Sequence, residues 1–219
     1  SLATDIDTRL LQIAADLKWI KAMKMENAES ISFGNDAFDF SFCKEAFHHF
    51  PRPHVGLYEM IRVSRRAVVL TEPSDWIPGP ILKQLMVKAK RLVKRIVGKT
   101  IHHTDTGNFE EIGNYVFTIS VREFGKIGMA MGLPAIAFRR FHDVYYPGVE
   151  EEILNNKAPL WNIIKRQIRR NQILTFIGLT SPNRVSAIIF KEMPTVTLIE
   201  RLKLDGFTVT MLPANNQVQ

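Results

Sequence analysis

Along the chain, short apolar runs alternate with stretches whose apolar residues recur every three or four positions. Leu2 to Ile6 reads as a short strand. It leads into an amphipathic helix carrying Leu10, Leu11, Ile13, Ala14 and Leu17 on one side. Trp19 to Met25 supplies a second strand, with Ile20, Ala22 and Met23 facing inward. Phe38 to Cys43 supplies a third, introduced by the turn residues Gly34, Asn35 and Asp36. A helix from about Val55 to Val63 follows Pro51 and Pro53, residues suited to a helix start. Ala67 to Thr71 is continuously apolar, as a parallel strand covered on both faces requires. Strands separated by helices at this rhythm predict an α/β layered fold with a mainly parallel sheet.

The second half keeps the rhythm with two interruptions. Residues 81–97 are helical by pattern, with Leu82, Leu85, Met86, Ala89, Leu92, Val93, Ile96 and Val97 on one face and Gly98 placed to end the helix. A polar loop follows, from His102 to Gly113. Ser120 and Glu123 form a capping-box signature for a helix ending near Gly132. Leu133–Phe138 and Val185–Phe190 read as strands. Between them, Asp143–Asn183 is an insertion whose helix carries Leu160, Trp161, Ile164 and Ile168 on one side. A last helix near Thr195 and a strand from Phe207 to Leu212 complete the chain. The expected organisation is an α/β core at 1–74, a basic helical insertion at 75–116, and the rest of the core at 117–219 with the second insertion at 143–183. No internal repeat is visible.

Composition narrows the classes. Of 219 residues, 46% are hydrophobic and 23% charged, which is globular and excludes a disordered chain. No apolar run reaches the roughly 18–20 residues that span a bilayer. A single cysteine, Cys43, forbids an internal disulfide and a Cys-rich zinc site, and reads as a small buried hydrophobe. The six histidines lack zinc spacing, so no metal is expected. The simplest expectation is a cytoplasmic protein. The net charge of +7 is local: residues 76–100 hold seven bases and no acid, leaving 22 of each sign elsewhere. Nucleic-acid binders carry their charge over the whole domain, so nucleic acid is not the expected partner. The basic helix at 81–97 has three readings. Its lysines face water on a lid, attract an anionic substrate, or dock on an anionic membrane surface. The chain also opens on a strand, without an initiator Met or a signal-peptide pattern, from which a missing upstream segment is expected.

Two stretches carry candidate chemistry. The first is Ala3-Thr4-Asp5-Ile6-Asp7. A carboxylate at the carboxyl end of a parallel strand can accept both hydroxyls of a nucleotide ribose, although an acid after a strand also suits a helix N-cap. The second runs Phe38-Asp39-Phe40-Ser41-Phe42-Cys43-Lys44-Glu45-Ala46-Phe47-His48-His49, followed by Arg62-Val63 and Val68-Val69-Leu70-Thr71-Glu72-Pro73. Together these resemble the class I S-adenosylmethionine-dependent methyltransferases of the small-molecule, type 11-like subgroup. That family shows an acid after its second strand, "DAxxLPF", "FDxVxxxxxxHH", a helix ending in "RVL" and a strand ending in Glu-Pro. The order and spacing agree across roughly residues 2–73.

The resemblance implies a Rossmann-like sheet with flanking helices and helical insertions after the fifth and sixth strands. It implies S-adenosylmethionine as cofactor. Asp5 would hold the ribose and Ile6 would pack on the adenine. Asn27 and Ala28 fall at the "DA" step, where the Asn27 carbonyl can replace the usual acid in accepting the adenine amino group. Lys44 and Glu45 lie where the cofactor and acceptor pockets meet. His48 and His49, on the following helix, are candidate general bases. His102, His103 and Tyr115 fall in the expected acceptor cover. One departure stands out: the glycine-rich loop after the family's first strand is absent. That strand lies between the second and fourth, and without it a row of buried backbone groups would go unpaired at about 1–3 kcal/mol each. The expectation is an upstream segment that supplies this strand, without which the cofactor should not bind in the usual way. The base-amino methyltransferases, with Asn/Asp-Pro-Pro-aromatic after the fourth strand, are set aside, because Lys44-Glu45-Ala46-Phe47 stands there. The expected activity is methyl transfer to a small molecule, an oxygen of a sugar, lipid-linked or secondary-metabolite acceptor. The alternative is an inactive methyltransferase-like binding module that uses the basic helix. The oligomeric state is not legible.

Overall fold

The computed structural model describes residues 1–75, 115–153, 155 and 158–215. Strand β1 (Ala3–Asp5) passes through helix α1 (Thr8–Asp16) to β2 (Met23–Met25). Strand β3 (Phe38–Lys44) leads through a 3₁₀ turn (Phe47–His49) and helix α2 (Pro53–Val63) to β4 (Ser64–Pro73). Then come α3 (Val121–Ala130), β5 (Ala135–Phe141), a 3₁₀ turn (Val149–Glu151), α4 (Pro159–Phe176), β6 (Arg184–Phe190), α5 (Val196–Leu204) and β7 (Thr208–Met211). The basic helix expected at 81–97, and His102 and His103, lie outside the described residues.

Local chemistry explains the element ends. Asp7, not Asp5, caps α1, its carboxylate accepting the Arg9 amide at 2.9 Å. The capping box at α3 forms as expected: Ser120 Oγ accepts the Glu123 amide at 3.1 Å, and the Glu123 carboxylate accepts the Ser120 amide at 2.8 Å. Pro159 opens α4, and the Glu152 carboxylate accepts the amides of Leu160 and Trp161 at 2.9 and 2.7 Å.

The five-stranded sheet has the order β3-β4-β6-β5-β7. β3 is parallel to β4, while β6 runs against both β4 and β5, and β7 against β5. Three of its strands, β3, β4 and β5, therefore share one direction, with β6 and β7 running against them. β6 suits its place between β4 and β5 because Val185, Ala187, Ile189 and Phe190 are buried there. β4 is buried on both faces, as its sequence predicts. Val68 and Leu70 join Leu57, Ile61, Phe124 and Ile127 in the larger core, and Ala67 joins Ala135, Phe190 and Leu202 in the smaller one.

β1 and β2 form a separate two-stranded parallel sheet, register Ala3↔Met23 to Asp5↔Met25. Among the described residues β1 is paired on one edge only, and β3 likewise only with β4. The apolar residues around this division are open to water: Phe40 and Phe42 of β3 are 54% and 67% exposed, and Ile6, Leu10, Ile13, Leu17 and Met25 are exposed too. The expected strand from Trp19 to Met25 shrinks to three residues, and Ala22 and Met23 face water rather than the core. Lys18, with φ 60°, turns the chain, its amide donating to the Ala15 carbonyl and that of Trp19 to the Ala14 carbonyl, so Trp19 stays outside the strand.

The segment after β2 is anchored by a buried carboxylate. Glu26 pairs with Lys24 at 2.6 Å and accepts the Ser32 amide at 2.9 Å and the Ser32 hydroxyl. Hydrogen bonding by Lys24, then by Ser32, pulls its carboxyl down from 4.5 to about 2. A lowered carboxyl stabilises the fold above its unfolded value and loses that contribution as pH falls toward its folded value. Glu26→Gln should therefore lower the melting temperature most near neutral pH, with the gap to wild type narrowing as pH drops below about 4.5. A pH-independent gap in thermal denaturation would contradict this.

Candidate active site

The carboxyl ends of β3, β4 and β5 meet the start of β6. The register sets Lys44 beside Thr71, and Arg184 opposite both Pro73 and Phe141. At this end Glu72, 0% exposed, organises the turn that carries the paired histidines. One carboxylate oxygen lies 2.6 Å from His48 Nδ1. The other accepts the amides of Phe47 at 3.2 Å and Ala46 at 3.3 Å, and lies 3.5 Å from the Cys43 thiol. A buried carboxylate must be satisfied by donors, and these four meet that need. Cys43 is buried as expected. Burial, and then the Glu72 charge, push its thiol up to about 12, so it stays protonated and is not a nucleophile.

His48 is 6% exposed, and its ring lies 4.0 Å from that of the exposed His49, tilted by 45°. The two sit on a 3₁₀ turn rather than the expected helix, because Pro53 delays the start of α2. Phe47, fully buried, packs against Phe50 and Phe117, and the His48 carbonyl accepts the Phe117 amide at 3.1 Å. The segment after residue 115 therefore closes over the turn.

Lys44 ends β3, exposed. Glu45 follows with φ 55° and its amide on the Thr71 carbonyl at 3.0 Å, and its carboxylate pairs with Arg184 at 3.0 Å. Asp5 ends β1, exposed, with Oδ1 accepting the Asp7 amide at 2.8 Å, and Ile6 is exposed beside it. The Asn27 carbonyl accepts the Glu29 amide at 2.9 Å. The loop beyond it is strapped to α2. Arg62 donates to the carbonyls of Ile31 and Phe33, both at 2.8 Å, and Glu29 takes the amide and guanidinium of Arg52. At Gly56 this loop and the histidine turn converge, since an added Cβ would meet the Phe50 ring at 2.6 Å and the Ala28 carbonyl at 3.6 Å. The structure thus sets Lys44 and Glu45 at the carboxyl end of β3 and His48 and His49 on the turn that follows, while the Ala28 carbonyl approaches α2 at Gly56. Asp5 and Ile6 stand on the separate β1–β2 sheet. Tyr115 is exposed where the described chain resumes.

Glu72 and Arg184 were not among the expected site residues. The signal for Glu72 was an acid closing an apolar strand, since a carboxylate there must be buried and paired. Arg184 carried none, because its role depends on β6 running antiparallel. No group of three or more metal-ligating side chains occurs among the described residues.

Residues 1–70 match the family model described as "Methyltransferase domain". Over that stretch, about a third of the chain, the sequence is similar to the methyltransferase family. No curated protein matches it. Among solved structures, it is similar to the YcgJ protein of Bacillus subtilis at 15% identity and TM-score 0.51, over 88% of this chain and 82% of that one. It is also similar to a complex of the Haloferax volcanii Trm112 methyltransferase activator and a putative methyltransferase, at 12% identity and TM-score 0.50, over 89% and 72%. These likenesses establish the Rossmann-like class I fold. The family's cofactor is S-adenosylmethionine, and the residues present suit its adenosyl half. An exposed carboxylate ends β1, and the Asn27 carbonyl oxygen has a second lone pair beyond the one given to Glu29.

Replacing the Glu72 carboxylate would strand buried donors. Glu72→Ala should lower unfolding free energy by about 3 kcal/mol in denaturant titration, the order of loss expected when buried donors are left without their acceptor. A change below about 0.5 kcal/mol, the size of an ordinary surface substitution, would show that the carboxylate does not organise the turn.

Proposed function

We propose that this protein transfers a methyl group from S-adenosylmethionine to a small-molecule acceptor, an oxygen of a sugar, lipid-linked or secondary-metabolite compound. The observation that carries the reading is the placement of the Glu72-anchored His48–His49 turn at the carboxyl ends of β3 and β4. These follow an Asp5-terminated strand in the family's order. The cofactor, when bound, supplies an electrophilic methyl. Asp5 accepts the ribose hydroxyls, and Ile6 and Asn27 meet the adenine. Glu72 fixes the His48 ring through Nδ1, and His49, whose tilted ring lies against it and is exposed at the rim, takes a proton from the acceptor hydroxyl. Lys44, Glu45 and Tyr115 border the acceptor space.

The competent form has one more parallel strand, between β1 and β3, bringing the glycine-rich loop to the methionyl half. The edges of β1 and β3 that have no strand partner among the described residues, and the exposed Phe40 and Phe42, support this. The same division favours a second reading, a methyltransferase-like binding module without activity. Calorimetry with S-adenosylhomocysteine on the product of the full reading frame separates the two. Binding is expected, and its absence would favour the module. In that protein Asp5→Ala should weaken affinity at least about tenfold, the loss of one charge-assisted hydrogen-bonding site. Unchanged affinity would remove Asp5 from the ribose site.

A further inference from the structure

Helix α4 has two unlike faces. Inward, Trp161, Ile164 and Ile168 line one groove with Val144, Tyr145 and Val149, and Thr175 bonds His142 at 2.7 Å. At 100° per residue the opposite face carries Arg166, Arg169, Arg170, Ile173, Phe176 and, at the cap, Ile177. All six are exposed: Phe176 is 92%, Ile173 63% and Ile177 55% open to solvent. Leu179 extends the apolar end beyond the helix. Residues 159–176 contain Lys165 and these three arginines and no acid.

We propose that this face of α4 docks on an anionic lipid surface, with the Ile173–Phe176–Ile177 end in the acyl boundary and Arg166, Arg169 and Arg170 on the headgroups. The inference is independent of methyl transfer. An interfacial helix combines an apolar wedge with adjoining bases, and each base near an anionic surface strengthens attachment. A nucleic acid would use the arginines but leave three large apolar side chains wet. A second copy docking by the same face would set three arginines against three, with no acid on the helix to offset them. No helix among the described residues is long and apolar enough to cross a membrane, so α4 would lie on the surface.

Cosedimentation tests this with vesicles of phosphatidylcholine alone and vesicles containing roughly a third phosphatidylglycerol. The protein should pellet with the anionic vesicles only, and release as salt rises through about 0.5 M. Phe176→Ser with Ile177→Ser should cut partitioning about tenfold, and Arg166→Ala, Arg169→Ala and Arg170→Ala together about a hundredfold. Unchanged circular dichroism would confirm that both variants fold. Several results would overturn the proposal: equal binding to neutral vesicles, no binding, or variants that bind like wild type. So would binding of an RNA homopolymer that depends on the arginines but not on Phe176, or self-association abolished by Phe176→Ser.

Discussion

A parallel strand presents hydrogen-bonding groups along both edges, and in an α/β sheet an inner strand must satisfy both. β1 and β3 each satisfy one among the described residues, and everything about this site follows from that. The Asp5 carboxylate and the His48 turn stand on opposite sides of the division. Helix α1 buries only Leu11, while Leu10, Ile13 and Leu17 stay exposed. A two-stranded sheet of three residues per strand has little packing of its own. What holds β2 and the loop after it is polar: the Glu26 carboxylate, the Arg62 fork and the Glu29–Arg52 pair.

Across the division the organisation is the reverse. A single buried carboxylate, Glu72, gathers two amides, an imidazole and a thiol, fixing how the chain leaves β3 before α2 begins. Phe47, whose amide bonds the carboxylate, is fully buried with its ring against those of Phe50 and Phe117, and burial of this kind strengthens a hydrogen bond. This half of the site is held by the chain's own buried donors, while the half expected to hold the adenosyl group carries exposed side chains.

Much of this was legible in the residues. The apolar run at 67–71 announced a doubly covered strand, Ser120 and Glu123 announced their helix, and Pro53 marked the start of α2. Short-range spacing encodes such features. The antiparallel course of β6, the 3₁₀ turn under the histidines and the Glu45–Arg184 pair were not legible, because each depends on partners far away in sequence. Of the candidate residues, Lys44, Glu45, His48 and His49 come together at one strand end, and Ala28 reaches the same helix. Asp5 is the strand-terminal acid that its motif suggested, and Asp7 takes the capping role that an acid there could equally have filled.

The division of the sheet is the central claim, and amide hydrogen exchange of the 219-residue chain measures it most directly. Amides of Ala3 to Asp5 and Met23 to Met25 should exchange at least about a hundredfold faster than those of Val68 to Leu70, since a marginal strand pair opens locally while a central strand opens only globally. Equal protection of β1 and β4 would show that β1 already lies within a continuous sheet, and the account would fail.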